Sequence, residues 1–102
     1  MIAVDYSRKR IKTNEREALF FMEFDSFEAA EKILLENLSL KADSVLTYDL
    51  LIRIYHQRND MVSLTKLLNS AMQNTDRKEF YRKLKKQVVV SRLFDDLRSI
   101  DS

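Results

Sequence analysis

The chain has 102 residues, 45% of them hydrophobic, and a net charge of only +2. That is enough apolar material for one core without disulfides or metal, and too much for a disordered chain. Glycine, proline and cysteine are all absent, which excludes thiolate metal sites, thiol redox chemistry and glycine-rich phosphate loops and favours helices throughout.

Residues 1–12 read as an N-terminal lead segment. Met1 to Tyr6 is apolar and strand-like through Ile2 and Val4, and the basic cluster Arg8, Lys9, Arg10 and Lys12 follows it. A secretory signal has the opposite order, and no stretch reaches the ~18 apolar residues of a membrane span. A cytoplasmic setting is the default, with the basic cluster as a solvated lead-in. Residues 13–100 then form a single helical domain. Asn14 and Glu17 make a capping box, so the first helix is predicted from about Glu15 to Phe24. Its residues Ala18, Leu19, Phe20, Phe21, Met22 and Phe24 are apolar almost all round, as in a helix buried on several sides or covered by a partner. Asp25 with Glu28 reads as the next capping box. It opens a second helix to about Leu40 with the stripe Phe27, Ala30, Ile33, Leu34 and Leu38, and with Glu28, Glu31 and Glu36 in water.

Lys41, Ala42 and Asp43 form a turn, with Asp43 or Ser44 capping the third helix. From Val45, the residues Tyr48, Leu51, Ile52 and Tyr55 share one helical face. Asn59 tolerates the left-handed conformation that ends a helix, and Asp60 can accept from the free amides of the next. Met61, Leu64, Leu67, Leu68, Ala71 and Met72 line that fourth helix. After a turn at Asn74 to Asp76, with Asp76 and Glu79 as a capping pair, a last helix is predicted from about Arg77 to Leu97. Phe80, Tyr81, Leu84 and Val88 fall on one of its faces, whereas Val90, Leu93, Phe94 and Leu97 fall nearly opposite. Either the helix breaks near Val89 to Ser91 and folds back, or it stays straight and offers the second stripe to another chain.

The third and fourth helices echo the first two at a spacing of 34 residues. Tyr55 maps to Phe21, Ile52 to Ala18, Asn59 and Asp60 to Asp25 and Ser26, Leu64 to Ala30, Leu68 to Leu34 and Met72 to Leu38. A helix–turn–helix unit of that period resembles the tetratricopeptide repeat, here two units plus a terminal helix over roughly residues 11 to 100. Tyr48, Leu51, Tyr55, Asp60, Leu68 and Ala71 match the family's pattern in the second unit, and Ala18, Phe21, Ala30 and Leu34 in the first. Ile52 and Leu64 stand where the family has small residues, Asn59 and Asp25 replace its turn glycine, and its closing proline is missing. The resemblance implies an all-α fold of antiparallel helix pairs stacked as a short right-handed superhelix. It implies a non-catalytic interaction module, an adaptor or scaffold whose first helices line a groove for a peptide or an amphipathic helix. The groove positions of the family fall on Lys12, Glu15, Arg16, Leu19, Met22 and Glu23, then on Leu46, Asp49, Leu50, Arg53, His56 and Gln57, with Lys83 and Gln87 beyond. Asp49 replaces the donor of a carboxylate clamp, which argues against the chaperone-binding subtype. Two units are few for such an array, so the apolar ends, including Val90, Leu93, Phe94 and Leu97, suggest a homodimer or an obligate hetero-partner.

Catalysis finds little support. His56 is the only histidine, with no second ligand type clustered beside it, so no metal or other cofactor is expected. Asp95 and Asp96 are adjacent on a helix and point apart, so they cannot share a proton. The rival to a protein partner is nucleic acid: Arg77, Lys78, Arg82, Lys83, Lys85 and Lys86 lie within ten residues, with Phe80 and Tyr81 interleaved. The plainer alternative is a terminal helix with a solvated outer face.

Overall fold

A computed structural model describes the backbone of residues 6–101 and the side chains of residues 6–91. Five helices follow one another: α1 (Tyr6–Glu23), α2 (Phe27–Leu40), α3 (Val45–Gln57), α4 (Met61–Asn74) and α5 (Lys78–Asp101). No strand occurs among the described residues. The helices pack as pairs, α1 on α2 and α3 on α4, with α3 also against α2 and α5 against α4.

The core is one cluster. Ala18 of α1, Ala30 and Leu34 of α2, Tyr48, Leu51 and Ile54 of α3, Leu64, Leu68 and Ala71 of α4, and Tyr81 of α5 are fully buried. Each large aliphatic residue among them stabilises the fold by about 1.5–3 kcal/mol relative to exposure. Phe21, Leu38, Ile52, Met72, Leu84 and Val88 pack around it.

The two hairpin turns share most of their backbone bonds. Asp25 and Asn59 both adopt left-handed backbone, with φ of 60° and 57°. The Ser26 amide donates to the Phe21 carbonyl at 2.8 Å, and 34 residues later the Asp60 amide donates to the Tyr55 carbonyl at 2.9 Å. These bonds close the helix end in the manner of a Schellman turn. Next, the Ala30 amide reaches the Ser26 carbonyl and the Leu64 amide the Asp60 carbonyl, at 3.2 and 3.1 Å. The Asp60 carboxylate also accepts from the Ser63 amide at 3.1 Å, the expected cap. Accepting from the Ser63 side chain and amide holds Asp60 below the usual carboxylate range.

Other caps differ from expectation. Ser26, not Asp25, occupies the cap of α2, and Asp25 sits before it in the left-handed turn. Ser44 caps α3 by position only; its hydroxyl turns back to α1. Glu79 pairs with Arg82 at 3.1 Å, and α5 begins at Lys78. The largest correction is α1. It already runs from Tyr6, so residues 6–12 are helical rather than an irregular lead, and Asn14 is inside the helix. Its buried residues Ile11, Asn14, Glu15 and Ala18 keep a helical spacing, but the middle two are polar, so the stripe is invisible to an apolar pattern. Ile2 and Val4 lie outside the described residues. The last helix is unbroken from Lys78 to Asp101, which settles the choice between folding back and staying straight.

Candidate partner-binding surface

Asn14 and Glu15 open a buried polar seam between the two hairpins. The Asn14 amide donates to Asn37 Oδ1 at 2.8 Å and to Glu36 Oε1 at 3.1 Å. Asn37, fully buried on α2, donates to the Ile11 carbonyl at 3.1 Å and to Thr47 Oγ1 at 3.0 Å. Thr47 in turn donates to Glu15 Oε2 at 2.7 Å, and Ser44 donates to the same oxygen at 2.6 Å. Glu36 also takes Arg10 Nε at 2.9 Å, and those bonds from Arg10 and Asn14 hold its carboxyl below the usual range. No buried side-chain nitrogen or oxygen among the described residues lacks a hydrogen-bond partner, which is the condition under which such a seam stabilises rather than costs.

The second seam repeats one bond of the first. Tyr81 lies 34 residues after Thr47, and Asp49 lies 34 after Glu15. The Tyr81 hydroxyl donates to Asp49 Oδ1 at 3.0 Å, so a hydroxyl on one unit's first helix again meets a carboxylate on the preceding one. Arg77 adds a bond to Asp49 Oδ2 at 3.2 Å, and its guanidinium lies over the Phe80 ring at 4.0 Å. Burial, with the bond to Asp49 next, pushes the Tyr81 hydroxyl far above its ordinary range.

This geometry divides the expected groove. Leu50 is 2% exposed and belongs to the core, so it is withdrawn as a contact for a ligand. Asp49 is taken up by Arg77 and Tyr81, and Glu15 is buried under α3. Arg16, Arg53, His56 and Gln57 are exposed, Leu19 and Leu46 are exposed apolar residues, and Met22 is half-buried against the core. What remains is therefore a line of separate outward residues on α1 and α3, interrupted where the seam closes. Phe20, on α1, and Phe24, in the turn just after it, add a bare aromatic pair at 4.9 Å. Of the second stripe on α5, Val90 is half exposed, and the side chains of Leu93, Phe94 and Leu97 lie outside those described.

One feature was not foreseen. A groove of about 1060 Å³ runs between α4 and α5, floored by Met72, Val89 and Val90. Lys78, Arg82, Lys85 and Lys86 rim it, and among the described residues no carboxylate lines it. The signal for it lay in the period: 34 residues after Tyr48, Leu51, Ile52 and Tyr55 stand Arg82, Lys85, Lys86 and Val89.

Among the described residues no group of histidine, aspartate and glutamate side chains is placed to hold a metal ion, and no helix is long and apolar enough to cross a membrane. Comparison with protein-family models, with curated proteins and with solved structures returned no match.

Proposed function

We propose that this chain is a non-catalytic protein–protein interaction module of tetratricopeptide type, an adaptor or scaffold that holds a partner's peptide or amphipathic helix, or a second copy of itself, in a cytoplasmic setting. One observation supports this above others. The helical hairpin is repeated with the same left-handed turn, and one hydroxyl–carboxylate bond recurs at the same spacing, while apolar side chains stay bare on α1 and beside α5. Bare apolar surface gathered on a repeated scaffold is a hallmark of interaction surfaces. Helix-in-groove recognition needs apolar anchors at helical spacing with polar groups around them.

The test is a photo-reactive amino acid introduced at Phe20, Leu46 or Val90, with exposed Lys32 of α2 as the control, together with light-scattering mass across concentration. Discrete cross-links at the first three positions, absent at Lys32, support the module. A monomer that cross-links no more specifically there than at Lys32 refutes it. A second reading, nucleic-acid contact through α5, rests on its run of cations. It is weakened at the aromatic end of that run: Arg77 is held by Asp49 and lies over the Phe80 ring.

A further inference from the structure

α3 has two working faces, and the 34-residue period carries both onto α5. Thr47 bonds to the first hairpin, and Leu50 and Ile54 follow it at helical spacing into the core; their counterparts Tyr81, Leu84 and Val88 also pack into the core. Tyr48 faces α4, where its hydroxyl meets Ser70 and Asn74. Leu51, Ile52 and Tyr55 follow Tyr48 at helical spacing. The counterparts of these four are Arg82, Lys85, Lys86 and Val89, the residues that line the groove beside α4. In the second hairpin a helix of 14 residues, α4, covers this face. On α5 the same face is open among the described residues. The groove thus occupies the place of a sixth helix.

We propose that this groove docks an acidic amphipathic helix from a partner protein, lying on α5 as α4 lies on α3. The inference rests on the interaction-module reading and adds the place and the chemistry of the partner. The internal repeat supplies the shape of the occupant. Charge supplies its sign: among the described residues four cations and no carboxylate line the groove, and the one carboxylate paired with a rim cation, Glu79 on Arg82, is outside the lining and exposed, so a helix with glutamates flanking an apolar stripe satisfies rim and floor together. A second copy of this chain fits poorly, because two glutamates of its acidic helix α2 are already engaged, Glu31 with Arg58 at 2.7 Å and Glu36 with Arg10 at 2.9 Å. Single-stranded nucleic acid needs aromatic platforms for its bases. Among the described residues no aromatic side chain lines the groove, and one face of nearby Phe80 is taken by Arg77.

Three fluorescent peptides of α4's length test this by anisotropy: one with leucines at helical spacing flanked by glutamates, one with lysines replacing the glutamates, and one with the first peptide's composition scrambled. Methyl-labelled methionines report the site, Met72 in the groove and Met22 on α1. The expected result is that the first peptide binds at least about ten-fold tighter than the other two and shifts the Met72 methyl but not Met22. Val90→Asp, at an exposed position, weakens binding about ten-fold with the melting temperature unchanged, and Arg82→Glu with Lys86→Glu turns the preference toward the lysine peptide. Equal binding of the scrambled peptide overturns the proposal, since charge alone would then suffice. So does a DNA oligonucleotide that shifts Met72 when the first peptide does not. A shift at Met22 instead of Met72 also overturns it but leaves the interaction module standing, whereas failure of the cross-linking test removes the module itself.

Discussion

Thr47→Val removes one hydroxyl from the middle of the first seam and changes the side-chain volume little. Two hydrogen bonds go with it, one given to Glu15 at 2.7 Å and one taken from Asn37 at 3.0 Å. A bond to a charged group contributes about 1.5–3 kcal/mol and a neutral one about 0.5–1.5 kcal/mol. Glu15 keeps Ser44, and Asn37 keeps both Asn14 and the Ile11 carbonyl, so neither side chain is left without a partner. The expected loss is about 2–4.5 kcal/mol, a large share of the ~5–15 kcal/mol that holds such a domain together. Tyr81→Phe deletes the matching bond of the second seam, but the Asp49 side chain is 37% exposed and keeps Arg77. Water can replace the lost donor there, so about 1 kcal/mol is expected. Urea unfolding followed by helical circular dichroism separates the two, provided the slope is unchanged between variants. Thr47→Ser, which retains the hydroxyl, should lose no more than about 1 kcal/mol. If Thr47→Val proves no more costly than Tyr81→Phe, the seam does not contribute as its burial implies.

Three further outcomes are expected. Asp25→Gly should raise stability by up to about 1 kcal/mol and Asp25→Ala should lower it, because the residue sits at φ 60°, where only glycine avoids a steric cost; urea midpoints decide. Burial, then the bond to Glu31, pushes the Tyr55 hydroxyl up to about 12. A raised folded value means that this contribution is whole below the unfolded value near 10 and is lost as pH climbs toward 12. Tyr55→Phe should therefore flatten the alkaline limb of a stability–pH curve, and an unchanged limb would assign it elsewhere. Asp60 has the opposite sign: its lowered value gives stability that is present above about pH 4 and fades as pH falls through the folded value. Asp60→Asn should make the acid limb shallower, which thermal melts between neutral and acid pH would show.

The sequence made the hairpins readable because their cores are apolar and periodic. Tyr48, Leu51, Tyr55, Leu64, Leu68 and Ala71 all lie where the 3.6-residue spacing puts them, and Asn59 takes the left-handed turn that its side chain tolerates. It misled where burial is polar. Asn14 beside Glu17 looks like a helix start, yet Asn14 spends its amide on Asn37 and Glu36, so α1 begins eight residues earlier. Leu50 reads as a ligand contact because nothing local distinguishes an apolar residue facing a groove from one facing the next helix. The groove beside α5 was hidden for a related reason. A cation run reads as a solvated face until the repeat shows that α3 carries tyrosine, leucine and isoleucine at the same stations.

The hydroxyl–carboxylate stitch also gives the stack a direction. At the front, Thr13 holds the hydroxyl's station on α1 and is exposed; at the back, Lys83 holds the carboxylate's station on α5 and is exposed too. A like hairpin bringing a carboxylate could be stitched on ahead of α1 by the same bond. One brought up behind α5 would meet an ammonium in place of the carboxylate, so its hydroxyl would have to accept where Thr47 and Tyr81 donate, and the same bond can recur only on the front side.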